Sequence, residues 1–331
     1  MIEKPYLLFL GEARDELAAK TAHGVADWRP EWCVGQLRLP NCKADTGLPD
    51  VTLEEAARRG AKTFVIGATV AGGQLPAAWS DLIVRAMELG MDVANVLHDR
   101  LESFAAVAEA AKRLGRKLHN VRHSAVRFDV GKGLPREGRR LLTVGADCSI
   151  GKKYTALAIE REMRRRGMKA DFRATGQTGV LISERGVAID AVVADFISGA
   201  AEWLTPANEP DHWDVVEGQG SLFHPSFAGV TLGLLHGAAA HALVLCHEPT
   251  RTHMRGLPHY PLPSLEACLE SYVALGRLTN PACRFVGVSI NTERLPEDEA
   301  VRLLKRTEER HGLPCVDPIR LGVGPIVDRL Q

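Results

Sequence analysis

The chain has no C-x-x-C pair. Its seven cysteines, at 33, 42, 148, 246, 268, 283 and 315, are scattered and odd in number, which argues against a zinc ribbon or a disulfide framework and makes a reducing cytoplasm the expected setting. It also has no net charge, since 41 basic side chains balance 41 acidic ones. Without a surplus field to draw in nucleic acid or an anionic membrane, small anions are the expected partners. Long hydrophobic runs are missing too: the longest apolar tract, GVTLGLLHGAAAHALVLC, is broken by His236, His241 and several glycines, so no membrane span is expected. The apolar run near the start is short and followed by acids, unlike a secretory signal. There is no internal repeat and no low-complexity segment.

What is present is alternation. In a chain of 331 residues, long enough for two cores, apolar strand-like runs (YLLFLG at 6–11, KTFVIGAT at 62–69, MDVANVLH) alternate with helical patterns (LEEAARRGA, LPAAWSDLIVRAMELG, SFAAVAEAAKRLG). Such alternation builds a parallel sheet with crossover helices. The stretch DVGKGLPREGRR at 129–140 is rich in glycine, proline and charge, and it precedes a new strand. It sets the expected division into a domain of residues 1–135 and a domain of residues 136–331. Beyond it the pattern predicts a strand to 145, a loop, an amphipathic helix to about 166, a glycine stop at Gly167 and a strand to about 174. A helix over AIDAVVADFISGAAEWL, the strands WDVVEG and AHALVLCH, the helix SLEACLESYVALGRL, the strand RFVGVSIN and the helix PEDEAVRLLKRTEERHG follow.

Between that strand and helix lies GADCSIGKKYTA, residues 145–156. A loop that cradles phosphate needs small residues so that backbone N–H groups converge, a helix N-terminus behind them and a lysine reaching over the anion. Gly145, Gly151 and Lys152 supply these parts. The G-x-x-x-x-G-K-[ST] pattern is broken twice, by Ala146 in place of the first glycine and by Lys153 where a magnesium-holding hydroxyl belongs. Thr155 is about 200° further round the helix than Lys153 and does not simply replace it. A second cation at the helix start is disfavoured by the helix dipole unless an anion sits there. The loop therefore reads as an anion site that has no need of magnesium, made of Gly145, Ala146, Asp147, Cys148, Ser149, Ile150, Gly151, Lys152, Lys153 and Tyr154.

Together, GADCSIGKK and VVEGQGSL (215–222) resemble the loop and second-strand motif of dethiobiotin synthetase and its P-loop relatives, where a G-T-D-x-x-x-G-K-T loop is paired with E-G-A-G-G. With RATGQTG (173–179), ADFISGAAEWL (194–204), HEPTRTHMRG (247–256) and GVSINT (287–292), the chain is more similar still to the two-domain P-loop family typified by a D-glutamate N-acetyltransferase. The resemblance spans essentially the whole chain. It implies an α/β fold with an N-terminal Rossmann-like domain followed by a P-loop α/β domain, and transfer of acetyl from acetyl-CoA to the amino group of an acidic amino acid, D-glutamate first. On that footing the loop is expected to grip the phosphates of coenzyme A, which must be held and not cleaved. A homo-oligomer is the expected assembly.

Such a transfer needs a group to take a proton from the amine. Three carboxylates are candidates: Asp147 in the loop, Glu217 at the end of a strand, where ligands of open α/β sheets gather, and Asp195 in an otherwise apolar stretch. Each has a structural alternative: Asp147 as a cap or loop tie, Glu217 as a partner of a lysine or metal, Asp195 as a solvated residue. Backbone N–H groups at GQGS (218–221) and TGQTG (175–179) suit an oxyanion, with Gln177, Thr178 and Ser221 beside them; both segments also read as ordinary glycine turns. For a dicarboxylate acceptor, Arg173, Arg251 and Arg255 offer guanidinium groups, the last two in a loop that equally suits a solvated surface. The six-residue spacing of His247, His253 and His259 matches no helical metal pair, and no metal site is assigned. VIGATVAGGQLP follows a strand but is not a dinucleotide fingerprint. Two other functions fit the loop: an ATP- and magnesium-dependent ligase or kinase, with Glu217 or Asp147 on the metal, and a non-catalytic nucleotide sensor.

Overall fold

A computed structural model describes residues 2–70 and 74–331. The chain divides into two compact units. One runs to Val126 and takes back Gly176–Ala191; the other comprises Arg127–Thr175 and Val192–Gln331.

The first unit is built on a five-stranded sheet, all parallel, of β1 (Tyr6–Gly11), β2 (Cys33–Arg38), β3 (Thr63–Ile66), β4 (Asp92–Asn95) and β5 (Leu118–Asn120), in the order β2-β1-β3-β4-β5. β1, β3 and β4 are buried along their whole length, which is why β1 and β3 read as near-continuous apolar runs, while β4 buries Asp92 and Asn95 at its ends. The helices α1 (Lys20–Trp28), α2 (Leu53–Arg58), α3 (Ser80–Glu88) and α4 (Ala105–Leu114) make the crossovers. α2 opens on a reciprocal cap, Thr52 with Glu55, and α4 closes on the left-handed Gly115. Leu7, Phe9, Phe64, Ile66, Ile83, Met87 and Val93 lie in its core. VIGATVAGGQLP falls partly on residues 71–73, outside the described residues.

The second unit carries six parallel strands: β6 (Arg139–Gly145), β7 (Ala170–Arg173), β8 (Trp213–Val216), β9 (Ala242–His247), β10 (Arg284–Ile290) and β11 (Cys315–Val316), in the order β11-β10-β9-β6-β8-β7. β6 is central, paired through Leu141–Gly145 with β9 and through Arg139–Leu142 with β8. The helices after it are α5 (Lys152–Arg165), α6 (Gln177–Ser183), α7 (Ile197–Leu204), α8 (Ala228–Ala238), α9 (Leu265–Gly276), α10 (Glu297–His311) and α11 (Gly324–Asp328). α6 belongs to the first unit, where its Thr178 hydroxyl meets that of Thr21 on α1 at 3.0 Å.

Two expectations need correction. The helix predicted over AIDAVVADFISGAAEWL begins only at Ile197; before it come short 3-10 turns at Ile189–Ala191 and Ala194–Phe196, with Val193 extended between them. Adjacent β-branched Val192 and Val193 disfavour helix there. The segment TGQTG is no mere glycine turn, because Gln177 starts α6 and both Gln177 and Thr178 are buried. Among the described residues no helix is long and apolar enough to cross a membrane.

Candidate active site

The loop after β6 emerges at the carboxyl end of the central strand, beside the point where the strand order reverses, which is where open α/β sheets bind ligands. Its backbone is coiled for the purpose: Ser149 has φ +52 and Gly151 φ +105, and α5 begins at the next residue. Alternating handedness of this kind turns successive N–H groups toward one concavity.

Lys152 is almost fully buried, and its Nζ donates to the Asp147 carbonyl at 2.6 Å. Burial pulls its ammonium below the ordinary lysine range. Lys153 instead has its Nζ 5.0 Å from the Tyr154 ring centroid. Thr155 points away into the core, with its hydroxyl on the Gly151 carbonyl (3.0 Å), the Ser289 hydroxyl (2.8 Å) and the Cys246 thiol (3.5 Å). It does not replace the missing loop hydroxyl.

Asp147 is wholly buried. Its Oδ1 accepts from the Cys148 N–H at 2.6 Å, and its Oδ2 accepts from Arg251 Nη1 at 2.7 Å and the Arg255 N–H at 2.8 Å. Arg251 also reaches the carbonyls of Cys148 (2.8 Å) and Ser149 (3.2 Å) and lies 3.4 Å from Glu248. Exposed Arg255 donates to the Ser149 hydroxyl at 2.7 Å. The PTRTHMRG segment is thus laced across the loop.

From the other side comes the end of β8. Gly218 N–H donates to the Thr143 hydroxyl at 2.9 Å, which in turn donates to the Lys152 carbonyl at 3.2 Å. A side chain at Gly218 would begin 1.7 Å from the Thr143 carbonyl oxygen and 3.0 Å from the Lys152 stem, so only glycine lets this turn pack so close. Buried Glu217 is thereby set beside the loop, its Oε2 accepting from the Thr175 N–H at 3.0 Å. Ser221 donates to the Ala146 carbonyl at 3.0 Å.

The structure therefore brings together the loop, Glu217, Ser221, Arg251 and Arg255. The other candidates have different surroundings. Arg173 is engaged by buried Asp214 on β8 at 2.7 Å, and burial raises that aspartate's pKa against the pull of the guanidinium. Asp195 is exposed in the 3-10 turn before α7, not inside a helix. Gln177 and Thr178 sit on α6 of the first unit. His247 is half-buried, with its pKa lowered by desolvation, whereas His253 and His259 are exposed.

Two participants carried no sequence signal. Tyr272, fully buried on α9, donates to the Gly145 carbonyl at 2.8 Å and accepts from the Leu222 N–H at 3.1 Å; it looks in the sequence like any core aromatic. His224 is also buried, and one of its ring nitrogens, an Asp147 oxygen and the Cys148 sulfur lie within 4.8 Å of one another. Asp147 already answers to a guanidinium, so this trio suits a cation poorly.

The fold and the site define a two-domain α/β protein with a Rossmann-like unit and a P-loop unit whose loop is held by two arginines. The chain belongs to the DUF1611 family: residues 129–327 match its P-loop domain model and residues 38–124 match its Rossmann-like N-terminal domain model, both described as domains of unknown function. It is 54% identical over 330 residues, covering 100% of this chain and 99% of the relative, to a D-glutamate N-acetyltransferase of Tritonibacter scottomollicae. It is 50% identical over 329 residues, 99% of each, to a D-glutamate N-acetyltransferase of a Pseudoalteromonas species. The crystal structure of a DUF1611 family protein from Anabaena variabilis superimposes with a TM-score of 0.90 over 99% of both chains, at 30% identity.

Proposed function

We propose that this chain is an N-acetyltransferase that moves acetyl from acetyl-CoA to the amino group of D-glutamate. The observation that carries the reading is likeness of 50–54% identity over the full length of two proteins of that name. Matches that cover 99–100% of this chain and 99% of each relative leave no room for a large insertion between them.

The site's chemistry is compatible with that reaction. Converging amides of the loop at the start of α5 suit an anionic group or an oxyanion of the acyl-CoA. Glu217, buried beside the loop with one oxygen tied to Thr175, is assigned the proton of the acceptor's ammonium group. Exposed Arg255 is assigned a substrate carboxylate. Arg251, committed to Asp147 and two loop carbonyls, holds the loop in shape. Magnesium-dependent phosphoryl chemistry is disfavoured by Lys153 at the hydroxyl position and by Thr155 facing the core. The proposal extends to a cytoplasmic homo-oligomer acting on small molecules, with neither nucleic acid nor membrane as partner. The seven cysteines, none in a disulfide, are consistent with a reducing setting.

Mass spectrometry on the purified protein with acetyl-CoA and a panel of D- and L-amino acids tests this. N-acetyl-D-glutamate is the expected product. Consumption of ATP with a divalent ion, and no acetylated amino acid, would replace the transferase with the ligase or kinase.

A further inference from the structure

Cys148 lies within the loop, three residues after β6 ends and four before α5 begins. It is half-buried, whereas Cys246, Cys268, Cys283 and Cys315 are buried. Positive groups gather around it. The N-terminus of α5 lies just beyond it, Arg251 Nη1 donates to its carbonyl at 2.8 Å, and the Asp147 carboxylate within 4.8 Å of its sulfur is itself paired with that guanidinium at 2.7 Å. Reactive cysteines occupy such electropositive, partly accessible positions.

A second observation points to the same sulfur. His224 is 3% exposed, and one of its ring nitrogens comes within 4.8 Å of the Cys148 sulfur. Nδ1 already accepts the Ser226 N–H at 3.1 Å, and the ring is stacked on Phe227 at 4.5 Å. In the neutral ring the proton therefore sits on Nε2, a buried atom that has no hydrogen-bond partner among the described residues. A buried donor left without an acceptor is costly unless something meets it in the working state. Within 4.8 Å of one ring nitrogen lie both the Cys148 sulfur and an Asp147 carboxylate oxygen; the carboxylate is already engaged by Arg251 and by the Cys148 and Arg255 N–H groups, which leaves a thiolate on Cys148, or the acyl group it carries, as the acceptor in the working state.

We propose that Cys148 is an acyl-accepting nucleophile, and that transfer runs through an acetyl-cysteine with His224 Nε2–H as a positioning donor to the sulfur. The proposal rests on the acetyltransferase reading and places the donor's thioester at the loop, in place of its phosphates. In the first half-reaction the Cys148 thiolate, its proton given to solvent, attacks the acetyl carbonyl. The C–S bond to coenzyme A breaks, and the departing thiolate takes a proton from solvent. In the second half-reaction the acceptor's ammonium gives one proton to Glu217, and the amine attacks the acetyl-cysteine. The C–S bond to Cys148 breaks, restoring the thiolate, while the new amide nitrogen sheds its second proton to solvent. Loop amides serve both tetrahedral intermediates as oxyanion donors.

The test is intact-protein mass spectrometry after mixing wild type with acetyl-CoA and no amino acid. One added acetyl group is expected, mapping to the peptide with Cys148 and discharged on adding D-glutamate; initial rates should give parallel double-reciprocal lines. Cys148→Ala and Cys148→Ser should not load, and turnover should fall by about a thousandfold or more. A retained thermal shift with acetyl-CoA shows that they fold. His224→Ala should slow loading about tenfold while the acetyl-CoA concentration for half-maximal loading stays put, a split that loosened folding would not produce. Product formation without an acetyl-enzyme, or wild-type turnover by Cys148→Ala, overturns the nucleophile and leaves the acetyltransferase standing. Loading at Cys148 without acetylation of D-glutamate supports the nucleophile and overturns the acceptor.

Discussion

Arg251 Nη1 sits 2.7 Å from Oδ2 of Asp147, a residue 104 positions earlier in the chain. Asp147 is wholly buried, and the arginine side chain is 18% exposed. Removing the cation leaves a buried carboxylate with backbone donors alone, from Cys148 and Arg255. Arg251→Ala should lower stability by about 3 kcal/mol, read as a shift of the urea midpoint. An unchanged midpoint would mean that the pair contributes nothing to holding the loop.

The three candidate carboxylates differ sharply in setting. Glu217→Gln keeps an oxygen for the Thr175 N–H but loses the proton acceptor. Turnover should fall by about 10²- to 10⁴-fold with little change in melting temperature. Asp195→Asn, on an exposed turn, should leave turnover within about twofold of wild type. The reverse ranking in steady-state assays would move the base to Asp195.

Lys152 contributes a charge at the loop's floor. Loss of one charge-assisted contact to the acyl-CoA should raise the KM for acetyl-CoA about tenfold in Lys152→Ala. Calorimetric titration showing wild-type affinity would assign the loop to another ligand.

Gly218 packs where a methyl group would lie 1.7 Å from the Thr143 carbonyl oxygen. Gly218→Ala must move backbone, and it also loosens the hydrogen bond from Gly218 N–H to Thr143. A loss of about 3 kcal/mol or more is expected, together with reduced turnover because Glu217 shifts with it. Wild-type melting behaviour would contradict that close approach.

His241 Nδ1 accepts from the Arg140 N–H at 3.3 Å. Burial first, then Arg140 and Arg139, press its pKa from 6.5 to about 4. Between those values the unfolded chain binds a proton that the folded chain refuses, so stability is present above 6.5 and is lost as pH falls toward 4. His241→Gln should flatten that segment of a stability–pH curve measured by urea denaturation. A slope equal to wild type would assign the acid sensitivity to other groups.

Local signals in the chain were sufficient for the alternation of strands and helices, the loop and its departures, and the helix stop at Gly167. Those features depend on contacts within a few residues: the buried runs of a parallel sheet, a glycine with φ +76 at position 167, a lysine at a helix start. Helix over residues 188–196 was misread because local apolar pattern does not reveal that Val193 must run extended.

Tertiary structure alone decided which candidates lie around the loop. Arg173 and Arg251 are equally plausible anion ligands as letters; one is engaged by Asp214 and the other by Asp147. Gln177 and Thr178 follow the loop in sequence, yet cluster with the first unit. Tyr272 and His224 lie beside the loop with no motif to announce them: the Tyr272 hydrogen bond to Gly145 spans 127 residues, and His224 is brought near Cys148 by strand order and packing. Chain chemistry supplies the groups, and long-range burial selects which of them share a dielectric and can feel one another's charge.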